Sequence, residues 1–184
     1  MAPRGGEHFG IGCPVCRLFL VYTGSQNTKL KGGAAVVITF YRVNDPYGCF
    51  SNFSAHPIVL DGKEWPTTEH YFQAQKFVTT APDYAEKIRL APSPMKAAQW
   101  GRSRKAPLRP DWELVKDDVM RRAVYAKFKS HPEIRDVLLA TGEEKIVELT
   151  TTDMYWGVGS DGTGKNRLGV ILMEVRERLR QELT

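Results

Sequence analysis

Cysteine is scarce in this chain: Cys13, Cys16 and Cys49 are the only three in 184 residues. An odd number this small cannot build a disulfide framework, which points to a reducing compartment. Long apolar runs are missing as well. The longest near the start, Leu18 to Tyr22, is too short for a membrane span or a signal-peptide core. The expectation is an intracellular, cytoplasmic protein with no membrane association. Concentrated charge of one sign is also lacking. Of the formal net charge of +5, residues 1–37 hold a surplus of +3 (Arg4, Arg17, Lys29 and Lys31 against Glu7), leaving +2 for the rest. A module that gripped nucleic acid by its phosphates would carry more positive charge on its body. A second CxxC pair is absent too. Cys13 and Cys16 therefore lack the ligands of a zinc site, which Cys49 and His8 would complete only by coincidence, and no βαβ pattern flanks them as a redox pair requires.

What is present suits one domain with its own core. Residues 1–35 are small and polar without a sustained period and read as a flexible N-terminal extension; residues 36–184 form the domain. Ala35 to Val43 is β-branched and aromatic enough for a first strand, and Ile146 to Leu149 for another. Pro82, Pro94, Pro110 and Pro132 each stand where a first helical residue would, and Gly101 and Gly142 where two helices should stop. Trp112, Val115, Val119 and Ala123 form a core stripe on a helix over residues 110–129. A last helix over Arg167 to Leu183 places Leu168, Leu172, Val175 and Leu179 inside, with Arg176, Glu177, Arg178 and Arg180 largely outside.

The densest stretch is Asp61 to Phe77, DGKEWPTTEHYFQAQKF. Asp61-Gly62 between Pro57–Leu60 and Lys63–Trp65 signals a tight hairpin. Trp65-Pro66 holds the chain extended, after which Thr67 or Thr68 caps a helix running through Phe77. Glu69 falls in its first turn, where a solvated carboxylate merely compensating the helix dipole is the plain explanation. Lys76 follows seven residues later on the same stripe, with Phe72 and Gln73 between them. Periodicity alone does not tell whether that stripe faces solvent or a site.

Three further segments carry possible chemistry. Tyr47-Gly48-Cys49-Phe50-Ser51-Asn52-Phe53 is an aromatic loop, either packed on the core or offering Phe53 as a stacking surface and Asn52 as a paired donor and acceptor. Gly101-Arg102-Ser103-Arg104-Lys105 is a basic run, solvated or supplying a phosphate clamp. Asp153-Met154-Tyr155-Trp156-Gly157-Val158-Gly159 sets a tryptophan, in the core or stacked on a ligand, among glycines that allow close approach. The following Gly159-Ser160-Asp161-Gly162-Thr163-Gly164-Lys165-Asn166 nearly matches a P-loop. Asn166 stands where a magnesium-holding Ser or Thr is needed, and eighteen residues after it leave no room for the surrounding parallel strands. That excludes a nucleoside triphosphatase. A glycine-rich turn and a metal-free nest of amides for phosphate both remain.

Taken together, FYRVNDPYGCFSNF, LDGKEWPTTEHYFQAQKF, GRSRKAPLRPDWELVK, LLATGEEKIVEL and DMYWGVGSDGTGKNRLG resemble, in order and spacing, the NADAR (YbiA-like) family over about residues 38–179. Thr68 departs from the pattern, standing where many members have an aliphatic residue. The resemblance implies a compact, mainly helical α+β fold with a small β-sheet, and cleavage of N-glycosidic bonds on ribose phosphates without cofactor or metal. It places the family's glutamate on Glu69 and its motif-closing lysine on Lys76, and Asp153 completes the expected catalytic group. Asn52, Phe53, Arg102, Trp112, Lys116, Trp156, Gly157, Gly164 and Asn166 are expected to bind substrate. The implied substrate carries ADP-ribose or ribose phosphate, ADP-ribosylated nucleic acid included.

The chemistry has its own logic. Breaking a ribose C1–N bond needs a carboxylate-activated water, or a nucleophile that holds C1 while the base leaves. Glu69 suits the first role. A lysine kept neutral by burial suits the second through a Schiff base, with Lys76 favoured and Lys116 competing. With what the resemblance implies, three functions are expected: removal of ADP-ribose from guanine, cleavage of a phosphoribosylamino-pyrimidine intermediate of riboflavin synthesis, or ADP-ribose binding without catalysis.

Overall fold

A computed structural model describes residues 36–103 and 105–184. The extension, with Cys13, Cys16 and His8, lies outside the described residues. Strand β1 (Val37–Phe40) is followed by a 3-10 turn at Gly48–Phe50, the hairpin β2 (Ile58–Leu60) and β3 (Lys63–Trp65), and helices α1 (Thr68–Gln75), α2 (Pro82–Arg89) and α3 (Pro94–Gly101). The long α4 (Trp112–Ser130), α5 (Pro132–Ala140), strand β4 (Lys145–Glu148) and α6 (Arg167–Glu182) complete it. The fold is α+β and mainly helical, as expected, but its strands form two two-stranded sheets: β1 runs parallel to β4, and β2 antiparallel to β3. Among the described residues no helix is long and apolar enough to cross a membrane.

The local signals act as their chemistry dictates. Asp61 and Gly62 both take positive φ, 54° and 73°, which turns β2 back on β3. Thr67 caps α1 by accepting the His70 amide, and Ser93 caps α3 by accepting that of Lys96. Pro82, Pro94 and Pro132 open their helices. Pro110 does not: Arg109 forks onto Asp111 (Nε to Oδ1, 2.7 Å) and donates its amide to the Lys76 carbonyl, so α4 starts at Trp112. The first strand is shorter than its β-branched run because the chain turns at Arg42–Asp45.

The core is a continuous cluster joining α1, α4, α6 and β4 and including Tyr71, Phe72, Met120, Phe128, Ile146 and Leu172. Two basic side chains enter it, one of them against expectation. Arg176, expected largely outside, is buried because Thr141 Oγ1 and the Glu144 carbonyl accept from its Nη1 at 2.8 and 2.9 Å. Lys127, 1% exposed, donates to the Ser51 carbonyl at 2.9 Å and so anchors the aromatic loop from beneath. In that loop Tyr47 and Phe50 pack inward, Phe50 meeting Phe128 edge-on, and only Phe53 of the three aromatics reaches the cavity described next.

Candidate active site

Every residue of α1 is buried. Its polar stripe therefore faces no open solvent; Glu69, Phe72, Gln73 and Lys76 line one wall of a cavity of about 620 Å³. That volume suits a ligand of nucleotide size. The aromatic loop adds Asn52 and Phe53, the start and end of α3 add Met95 and Arg102, and β4 with the segment after it adds Glu148, Thr150, Asp153 and Trp156.

Each group has a local reason for its place. The Asn52 carbonyl accepts the Glu69 amide at 3.1 Å, and Thr68, where the family pattern is aliphatic, donates its hydroxyl to Asn52 Oδ1 at 3.0 Å. These bonds lock the aromatic loop onto the start of α1. Gln73 Nε2 donates to Glu69 Oε1 at 2.8 Å. Gly101 makes that possible by close approach, since a Cβ there would lie 2.0 Å from Gln73 Oε1. Lys76 Nζ donates to the Gly101 carbonyl at 3.3 Å and lies 5.5 Å and 5.6 Å from the Phe72 and Trp112 ring centres. Asp153 Oδ1 accepts the amides of Tyr155 and Trp156, turning Trp156 edge-on to Phe72.

The electrostatics follow from burial. Desolvation pushes the Glu69 carboxyl above its ordinary range and Asp153 adds to this, while Gln73, Lys76 and Arg102 pull the other way. Desolvation brings the Lys76 ammonium down to about 8, with Arg102 assisting and Glu69 and Glu113 opposing. Glu148 rises to about 7 through desolvation, Asp153 and Glu69. No sequence motif singles Glu148 out. The signal lay in strand alternation, which puts Glu148 on the same face as buried Ile146.

Several expected substrate-binding residues are elsewhere. Trp112 is buried behind Phe72, ring centres 5.0 Å apart, and backs the wall without lining it. Lys116 pairs with Glu113 and lies 3.8 Å over the Tyr155 ring; burial works to lower its pKa, but these neighbours raise it overall. A lysine so held is a poor amine nucleophile. Gly157 and Gly164 serve close backbone packing: a Cβ on Gly164 would lie 2.4 Å from the Gly157 carbonyl oxygen, and one on Gly157 2.8 Å from that of Glu148. Asn166 accepts the Glu148 amide at 2.9 Å and donates to the Ile146 carbonyl at 2.8 Å, stapling β4 to the start of α6. The amides of Gly159, Thr163, Gly164, Lys165, Asn166, Arg167 and Leu168 all donate to protein oxygens. With those donors engaged, this part of the loop packs as a glycine-rich turn.

The family model of the NADAR domain matches residues 39–180. N-glycosidase YbiA of Escherichia coli (strain K12) is 58% identical over 143 residues, 78% of this chain and 88% of that protein. The NMR structure of the E. coli protein YbiA superposes with a TM-score of 0.75 at 56% identity, over 82% of this chain and 89% of that one. N-glycosidase Npun_R5314 of Nostoc punctiforme is 50% identical over 151 residues, 81% of this chain and 96% of that protein. The chloroplastic riboflavin biosynthesis protein PYRR of Zea mays is 42% identical over 156 residues, 78% of this chain but 25% of that protein.

Proposed function

The chain belongs to the NADAR family, and from that premise we propose that it is an N-glycosidase that removes ADP-ribose from ADP-ribosylated guanine, in a nucleotide or in nucleic acid, without a metal. The observation that carries this reading is one cavity wall on which a buried acid in the first turn of α1 and a lysine at its C-terminal cap, with its pKa lowered to about 8, stand together. Phe53, Phe72 and Trp156 supply ring surfaces beside them, and Arg102 a charge for phosphate.

The reaction needs a substrate nitrogen outside the base ring. Its lone pair displaces the ribose ring oxygen from C1, the oxygen takes a proton, and an open-chain imine results. Neutral Lys76 adds to C1, Glu69 moves a proton from Lys76 to the departing nitrogen, and the base leaves as its free amine. Glu69 then activates water, which hydrolyses the lysine imine and frees the sugar aldehyde to close again. Asp153 orients Trp156 and stands beside both glutamates, raising the pKa of each. Asn52 holds the loop that carries Phe53 against the α1 wall.

A second substrate is favoured by the named relative from maize. A phosphoribosylamino-pyrimidine carries the same kind of exocyclic nitrogen, and the steps above apply to it unchanged. The test is a panel of ADP-ribosylated guanine, ADP-ribosylated amino acids and a ribosylamino-pyrimidine, assayed for free base with and without chelator. Release from guanine with chelator present is expected. Saturable binding of ADP-ribose with no turnover of any substrate would make the protein a binding module, and loss of activity in chelator would remove the metal-free route.

A further inference from the structure

Of the three carboxylates on the cavity wall, two have partners that explain their state and one does not. Glu69 has Gln73 as donor and Lys76 and Arg102 as cations. Asp153 accepts two backbone amides. Glu148 lines the same cavity, yet its Oε2 is buried without a hydrogen-bond partner, and the charged groups acting on it, Glu69 from α1 and Asp153 from the segment after β4, are both negative. A buried carboxylate oxygen with no donor and two like charges nearby is costly, and the cost falls when the group carries its own proton. The fold also holds this residue firmly. Asn166 Oδ1 accepts its amide, and its carbonyl accepts from Val158. A side chain required only for packing at this place would be apolar.

We propose that Glu148 is a second catalytic residue, the acid that gives its proton to the ribose ring oxygen as the C1–O bond breaks. This rests on the lysine-imine reading above and completes it, because ring opening needs a proton donor distinct from the base that serves Lys76. Two carboxyls whose surroundings differ divide the acid and base roles in this way. In the step, the exocyclic nitrogen lone pair forms the C1=N bond, the C1–O pair goes to the ring oxygen, and the Glu148 proton follows it. The proton returns when the product ring closes after hydrolysis. No oxidant or further reactant is involved.

The test separates ring opening from imine chemistry. Glycolaldehyde phosphate is an aldehyde too short to form a furanose, so its borohydride trapping on Lys76 needs no ring-opening acid. Native chain and Glu148→Gln are compared on a ribosylamine substrate and on this aldehyde. Expected for the variant is a loss of about 10²–10⁴ in ribosylamine cleavage with aldehyde trapping within about twofold of native. Unchanged cleavage overturns the assignment. So does equal loss of both reactions with unchanged circular dichroism, which would place the effect on Lys76. Should the variant not fold, the native chain decides. Its ribosylamine cleavage is expected to peak between about pH 7 and 8 and fall beyond, while aldehyde trapping rises through about 8 and stays high. A cleavage profile that stays high with trapping would overturn the role. Native cleavage without trapping would instead refute the lysine imine, leaving the Glu148→Gln cleavage arm to judge Glu148 separately.

Discussion

Glu69 and Lys76 are coupled through charge, and Glu69→Gln exposes that coupling most directly. In the native chain burial holds the Lys76 midpoint at about 8, and the Glu69 carboxylate opposes burial by favouring the ammonium. A nearby opposite charge moves such a midpoint by about 1–3 pH units. We take the low end, because Glu69 is itself shifted toward its neutral form. Removing the carboxylate should then lower the midpoint from about 8 to about 7. At pH 7 the neutral amine would rise from about a tenth to about a half of the molecules, roughly fivefold. Borohydride trapping of glycolaldehyde phosphate against pH reads this midpoint without involving the base or the ribose ring. Turnover of a ribosylamine by the same variant should fall by at least ~10², since the proton carrier is gone. More free amine with less turnover is the signature. A midpoint that stays at 8 or moves up would refute the claim that Glu69 acts on Lys76 as an anion.

Three further outcomes follow from the described geometry. Lys116→Ala should leave cleavage within about threefold of native, because Lys116 is held by Glu113 and Tyr155 away from the cavity; a loss near 10² would return the imine to Lys116. Asn166→Ala removes one buried and one half-buried hydrogen bond and leaves a residue with φ of 51° without the side chain that suits it. It should cost about 2–4 kcal/mol in urea denaturation, and a cost under about 0.5 kcal/mol would show that the staple between β4 and α6 is unimportant. Lys127 has its folded pKa lowered by burial to about 7 from 10.5, so between those values the unfolded chain binds more protons. Native stability should therefore gain a few kcal/mol from this group as pH rises through that window, and lose it as pH falls. Lys127→Met should flatten that part of the pH dependence, as measured by denaturation at pH 7, 8.5 and 10; parallel curves for the two chains would disprove the buried, neutral lysine.

The sequence was most informative where a local rule leaves one answer. Asp61-Gly62 can hardly do anything but turn, Thr67 and Ser93 cap the helices they precede, and the seven-residue spacing places Lys76 on the Glu69 stripe. Whether that stripe faced water was not local information. It is decided by Asn52, Trp112 and Trp156, which arrive from three distant segments. Arg176 misled for the same reason: a helical wheel puts it outside, but Thr141 and Glu144 cover it from the turn after α5. The loop through Gly164 and Asn166 looked like a phosphate binder because glycines and amides are what such loops use. Its amides at residues 164–168 instead donate to carbonyls of the preceding segment, residues 154–158, a pairing that no spacing reveals. Glu148 was legible only in part: strand alternation puts it on the face of buried Ile146, but the carboxyls of Glu69 and Asp153 that act on it come from other segments.

The parallel pairing of β1 with β4 has a consequence for when the protein becomes reactive. Val37 meets Lys145 and Phe40 meets Glu148, so opposite ends of the domain must both exist before the ladder can form. Helix α1 is synthesised early and its cap is local, but the residues from Glu148 to Trp156 that close over it come late. Until they arrive the cavity beside Lys76 is incomplete, and before Gly101 and Trp112 pack on it the amine keeps the basicity of any exposed lysine, about 10.4. Long-range pairing of this kind also forms slowly. On the lysine-imine proposal, a nascent chain therefore carries the amine before it has the completed site that would use it. Folding itself thus acts as the safety catch on the chemistry.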